Sequence, residues 1–301
     1  MAILRRLLCS VVMVALAATE AAAQGRGNAY GRGRAKPAQP TVSSTLSVPA
    51  PEPVATVDGS AAFRQFGAWL DDASVLGPGH GWLSVSLGHS QSPGARQFDF
   101  PVIEAGMALN HRAQLGGTIP YYRLDFPDGT GLGGFGDVYL NLKYALVDPE
   151  ANRSKIGLAV APLVEVLSAP DPVTGARWSW AIPVSIEVRK PGYRAYGSAG
   201  YFARGVFFSS GAVEVPVTSR LVVTGALIQM RSLNENPAAD ALALTKSRLD
   251  AAGATAYFLT PSIAVFGSVG RTISQAGPLG TALTVNGGLS ITFAHAGRPT
   301  P

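Results

Sequence analysis

The chain has 301 residues, a formal net charge of +5 and a mean hydropathy of +0.20. Charged residues make up 14% of it, well below the usual share of about 25%, and 35 residues are glycine. The single cysteine, Cys9, excludes a disulfide-stapled scaffold, and no window after residue 24 has the long uncharged apolar run of a membrane-spanning helix.

Residues 1–23 read as a secretory signal peptide. Arg5 and Arg6 form a basic start, Leu7 to Ala18 an apolar stretch, and Ala21-Ala22-Ala23 a small-residue cleavage site, with Gln24 as the mature N-terminus. A membrane anchor is the competing reading, but the apolar run is short and no stop-transfer charges follow. Cys9 leaves with the signal.

Residues 24–57 are rich in Gly, Arg and Pro and too poor in apolar groups to offset the entropy of ordering. A disordered periplasmic leader is expected, touching anionic lipid or cell wall; the Gly-Arg repeats are not read as a nucleic-acid site. The basic balance lies mostly here, in Arg26, Arg32, Arg34 and Lys36 against Glu52. With Arg5, Arg6 and Glu20 of the signal also set aside, +1 remains over residues 58–301.

Residues 58–75 form a short amphipathic segment. Phe63, Phe66 and Leu70 fall at i, i+3 and i+7, so a helix over Ser60 to Asp72 is expected, packed against the end of the following domain.

From residue 76 to 293 the period becomes two. In Asp137 to Leu146, Val138, Leu140, Leu142, Tyr144 and Leu146 share one face, while Asp137, Tyr139, Asn141 and Lys143 share the other. Arg112 to Tyr121, Trp178 to Arg189 and Thr281 to Phe293 repeat the pattern. These runs are about ten residues or longer, whereas strands of soluble sheets average about five or six. A tilted strand crossing a bilayer needs about nine to eleven. One face is apolar and the other carries charges of both signs, as between lipid and a polar lumen. The fold class expected is all-β: a single closed antiparallel transmembrane β-barrel of about twelve strands, with ten or fourteen as alternatives. Tight connections such as Asn110-His111 and Lys190-Pro191-Gly192 alternate with longer ones, Leu124 to Gly133, Ser168 to Arg177 and Leu233 to Lys246. That parity puts both termini in the periplasm of a Gram-negative-type bacterium, with the barrel in its outer membrane.

Leu76-Gly77-Pro78-Gly79-His80-Gly81-Trp82, Glu104-Ala105-Gly106, Arg112 to Gly116 and Ile119-Pro120-Tyr121 form a series of short motifs. The longest is Gly133-Gly134-Phe135-Gly136-Asp137-Val138-Tyr139-Leu140-Asn141-Leu142-Lys143-Tyr144. Together they resemble the outer-membrane barrels of the "meta-pathway of phenol degradation" transporter-like family. That family's Pro-Thr-Gly is altered here to Pro172-Val173-Thr174-Gly175. The resemblance implies an outer-membrane barrel passing small molecules, aromatic or apolar ones among them, and names no substrate.

Chemistry-bearing groups are sparse. Gly131 to Gly136 leads into a strand without the Gly-Lys-Ser/Thr sequel of a phosphate cradle, so it reads as a bend. His80, His89, His111 and His295 lack metal-ligand spacing, and His89-Ser90 would point to opposite faces of a strand. No catalytic residue, cofactor or metal is expected, with a lipid-modifying barrel enzyme as the minor alternative. The lumen-lining candidates are Glu104, Arg112, Asp137, Lys143, Lys155, Glu165, Glu187 and Arg189. They either pair across the lumen and plug it, giving a structural or binding barrel, or line a water-filled path. Passive passage of small solutes is the favoured function. Leu289, Ile291 and Phe293 resemble the C-terminal signal read by barrel-assembly machinery, although a tail of residues 294–301 follows. The expected partners are thus that machinery, outer-membrane lipid and a small solute.

Overall fold

A computed structural model of the chain describes residues 70–92, 94–149, 155–170, 175–203, 205–233, 247–274, 281 and 283–294. All lie in the second of two compact units, Val57–Pro301. The expected signal peptide, the leader, most of the amphipathic helix and the tail beyond Ala294 lie outside the described residues.

The strands are β1 (His80–Ser92), β2 (Ala95–Ala108), β3 (Ala113–Asp125), β4 (Gly131–Phe135), β5 (Val138–Val147), β6 (Ile156–Val160) and β7 (Leu163–Val166). They continue as β8 (Trp178–Lys190), β9 (Tyr193–Phe202), β10 (Val206–Pro216), β11 (Leu221–Ser232), β12 (Ser247–Thr260), β13 (Ile263–Ser274) and β14 (Leu283–Ala294). Every pairing is antiparallel between neighbours, and β1 pairs with β14 from His80↔Ala294 to Gln91↔Leu283, which closes the barrel.

Fourteen strands make twelve crossings, because two crossings are interrupted. β4 and β5 both pair with β3, and Gly136-Asp137 between them is a bulge: Tyr121↔Phe135 gives way to Thr118↔Tyr139, one residue out of step. Gly136 is required there, since a Cβ would lie 2.9 Å from the Pro120 ring. β6 and β7 are separated by Ala161-Pro162, where proline has no N–H to donate. Their register on β8 runs through unchanged, with Val160↔Val184 followed by Leu163↔Ala181.

The four alternating runs named from the sequence each fall on one of the twelve crossings. One difference lies at the expected loop Leu124 to Gly133. Leu124 pairs with Leu132 and Asp125 with Gly131, so the hairpin climbs higher and only 126–130 turns. There Phe126 N–H donates to the Thr130 carbonyl at 2.9 Å, and Gly129 supplies φ 85°. The hydroxyl and the amide of Thr130 both donate to Asp128, holding its carboxyl below the usual carboxylate range.

The alternation sorts into two faces. Outward side chains such as Leu87, Leu140, Val164, Ile186 and Val269 are exposed, a wall that only a bilayer could cover. Outward aromatics gather at two levels. Phe98, Phe100, Tyr121, Phe135, Trp178, Trp180, Tyr201 and Phe207 ring the end of the longer connections, the loop end. Tyr144, Tyr193, Tyr257 and Phe293 ring the opposite, turn end. Between these girdles the outward positions of the described strands carry no Asp, Glu, Lys or Arg. Two interfacial aromatic belts around an apolar band are the mark of an outer-membrane barrel.

Candidate functional site

The inward face holds the polar groups: Ser84, Glu104, Gln114, Lys143, Glu165, Ser179, Ser185, Glu187, Arg194, Ser198, Thr224, Ser268, Thr272 and Ser290 are all buried in the lumen. Their burial has a specific cause at the turn end. Ahead of β1, the described residues Leu70 to Leu76 are irregular and lie inside the lumen. Leu70 rests on Ala212 and Ala226 beside Tyr196, and Leu76 on Trp82 and Ala108.

Polar contacts hold the same segment. Lys143 Nζ donates to Asp71 Oδ1 at 2.8 Å, to Asp72 Oδ1 at 3.0 Å and to the Ser74 carbonyl at 3.0 Å, which uses all three ammonium protons. Arg194 Nη1 donates to Asp72 Oδ2 at 3.0 Å and its Nη2 to Glu214 at 3.0 Å, with the guanidinium over the Tyr196 ring. Ser74 Oγ donates to Glu187 Oε2 at 2.6 Å, and Arg189 Nε to Glu187 Oε1 at 2.6 Å. Gln114 accepts from Leu76 N–H and Ser198 from Asp71 N–H. Four carboxylates thus meet three cations with nearly every charge paired, as buried ions require.

Of the eight sequence candidates, Lys143, Glu187 and Arg189 belong to this cluster. Glu104 is buried on β2, accepting from Ser84 at 3.3 Å and Thr118 at 3.4 Å. Glu165 is fully buried on β7, higher in the barrel. Asp137 is half-buried at the bulge, and its Oδ1 accepts from the Ser168 amide at 2.9 Å and hydroxyl at 2.8 Å. Arg112 and Lys155 stand outside the lumen. Arg112 is exposed in the turn before β3, because Asn110 Oδ1 accepts the amides of 112 and 113 and starts the alternation only at Ala113. Lys155 is exposed ahead of β6 with φ 56°, which takes it out of the pleat.

Sequence reasoning passed over Asp71, Asp72, Ser74, Gln114, Arg194 and Glu214. The adjacent acids next to an apolar residue at the threshold of β1 were the one available signal.

Toward the loop end the lumen is mixed. Leu163, Ala181, Phe202 and Phe208 form an apolar cluster flanked by Tyr139, Val206 and Met230. Arg248 pairs with Asp250 at 3.0 Å, and Thr272 donates to Asp250 at 2.7 Å. Among the described residues no group of three or more His, Cys, Asp or Glu is placed to hold a metal ion.

No family model and no curated protein matches the chain. Solved structures do. The COG4313 outer membrane channel from Pseudomonas putida F1 is 13% identical and superposes with a TM-score of 0.55, covering 74% of this chain and 98% of that one. The NanC porin is 11% identical with a TM-score of 0.50, covering 70% of this chain and 98% of that one. At such identities the likeness is one of fold, and the fold is that of outer-membrane β-barrels.

Proposed function

We propose that the protein is an outer-membrane channel for passive passage of small solutes, without enzymatic activity, whose own Leu70 to Leu76 segment narrows the lumen at the periplasmic end. The observation that carries this reading is how that segment is held: chiefly by ion pairs and hydrogen bonds to the wall, which hydration can replace. The COG4313 channel and the NanC porin, by their descriptions, are a channel and a porin, and they lend the fold-level analogy. The short motifs around Gly133 to Tyr144 support membership of the phenol-degradation transporter-like family. The apolar lumenal cluster beside Tyr139 and Met230 supports aromatic or apolar solutes among the cargo. Export by the signal peptide and insertion by barrel-assembly machinery acting on β14, with Phe293 outward near its end, complete the reading.

Planar-bilayer recording and liposome swelling with the purified protein test it. Discrete conductance steps and uptake of small aromatic solutes are expected. The same buried segment favours a second reading, a plugged barrel that is structural or binds a partner through its loops. Absence of flux at every voltage and ionic strength would establish that second reading and remove the first.

A further inference from the structure

The lumen accounts for the inward charges, and the outward face between the girdles has none, but the loop-end rim departs from both. Outward strand positions there carry Arg96, Arg123, Arg231 and Arg271 against a single acid, Asp125. Arg96 lines a cleft, and Arg123 flanks it, opposite the lining Phe98 and paired with the lining Asp125.

The cleft, about 550 Å³, opens on the outer wall of β1–β3, with His89, Arg96, Phe98, Asp125 and Phe126 among its lining residues. Register places them in two rows. Arg96 stands opposite Asp125, and one row lower His89, Phe98 and Arg123 stand side by side. His89 and Phe98 stack with centroids 4.5 Å apart, forming an aromatic floor at girdle height. The Nδ1 of His89 is buried without a hydrogen bond. Arg123 Nε donates to Asp125 at 2.9 Å while its side chain stays 73% exposed, so most of its N–H groups face outward. Two guanidinium groups against one carboxylate leave the cleft cationic. Arg271 stands three strand spacings along the upper row, about 14 Å away.

We propose that this cleft binds a phosphate of the phosphorylated glycolipid in the outer leaflet, with Arg96 and Arg123 gripping the phosphate. Its depth matches that ligand, since the level of an aromatic girdle is the level of lipid headgroups. Guanidinium forks fit phosphate oxygens bidentately, and a site beside lipid is dry enough to strengthen such bonds. Phe98, exposed below the arginines, offers a surface for the sugar or the first acyl carbons. The site lies outside the lumen, so it is independent of whether solute passes.

Native mass spectrometry of the full-length protein in detergent tests it, with bis-phosphorylated lipid A, enzymatically dephosphorylated lipid A and inorganic phosphate as probes. Retention of bis-phosphorylated lipid A about tenfold above the dephosphorylated form is expected. R96A should remove most of that preference and R96K part of it, while R112A in the turn at the other end should leave it intact. Equal retention of the two lipids overturns the proposal on the unsubstituted protein alone, whatever the variants do. Inorganic phosphate bound as well as the lipid would make it a free-anion site, and R96A without effect would place the lipid elsewhere; either result also overturns it.

Discussion

Lys143 Nζ lies 3.0 Å from the carboxylate of Asp72, joining the wall to a segment 71 positions earlier in the chain. The same ammonium is 2.8 Å from Asp71 and almost fully buried. One side chain on β5 thereby fixes where the approach to β1 runs, and so how wide the turn end of the lumen is.

Substituting Met for Lys143 keeps its length and removes both ion pairs. Taking one partner from a buried pair costs about 3–5 kcal/mol if the other stays buried. Asp71 and Asp72 escape that cost if the segment leaves the lumen. K143M is therefore expected to raise single-channel conductance and to lower the midpoint of the heat-induced gel shift. Unchanged conductance together with an unchanged midpoint would show that Lys143 does not hold the segment.

The converse variant pins the segment in place. A Cβ built on Gly157 would lie 3.0 Å from the Cβ of Ala73 and 2.9 Å from the Pro149 ring, so the Pro149 turn must give way, which also relaxes the Ala73 spacing toward the usual disulfide range of about 3.5–4.5 Å. A73C together with G157C should form a disulfide, since the chain's own cysteine, Cys9, lies in the expected signal peptide. Under oxidising conditions conductance should fall to its smallest step and return on adding reductant. Conductance indifferent to reductant, with the disulfide shown by mass, would mean that solutes pass without moving this segment.

The wall was legible in the sequence because lipid imposes one rule on every crossing: apolar out, polar in, for about ten residues. On β8 exposed and buried positions alternate without exception from Trp178 to Glu187, and every outward residue is apolar. β9 hides it, since Ala195, Gly197 and Ala199 on its outer face differ little in polarity from Ser198 and Gly200 within, and Arg194 went unnoticed there. Arg112 and Lys155 misled because turn geometry, which period two does not encode, decides the side on which a residue just outside a strand falls. The lumenal segment was least legible. Asp71 and Asp72 are conspicuous, but the partners that give them meaning lie 71 and 122 positions away, and no local pattern reports such distances.

The bulge at Gly136-Asp137 has a checkable role. Asp137 accepts both donors of Ser168 and so ties the interrupted crossing to the start of the connection between β7 and β8. Asp137→Ala should cost about 1–2 kcal/mol, the worth of two hydrogen bonds at a half-exposed site. The chain near 168–177 should then be cut faster by added protease in intact proteoliposomes. Cleavage at an unchanged rate would show that the carboxylate does not restrain this connection.

The outward face makes the sharpest demand on the membrane assignment. Val184 sits midway along β8, 44% exposed, with the girdle residue Trp180 toward one end and Lys190 at the other. On a water-facing strand, exchanging so exposed a valine for arginine changes stability by at most about 0.5 kcal/mol. At the midplane of a bilayer the same exchange costs about 2–4 kcal/mol, because the guanidinium has no water to keep. V184R should therefore lower folding yield into lipid vesicles and the stability of what folds, whereas K190R at the rim should do neither. A V184R protein as stable in vesicles as the parent would mean that this wall does not face lipid, and the barrel would have to be reassigned to an aqueous setting.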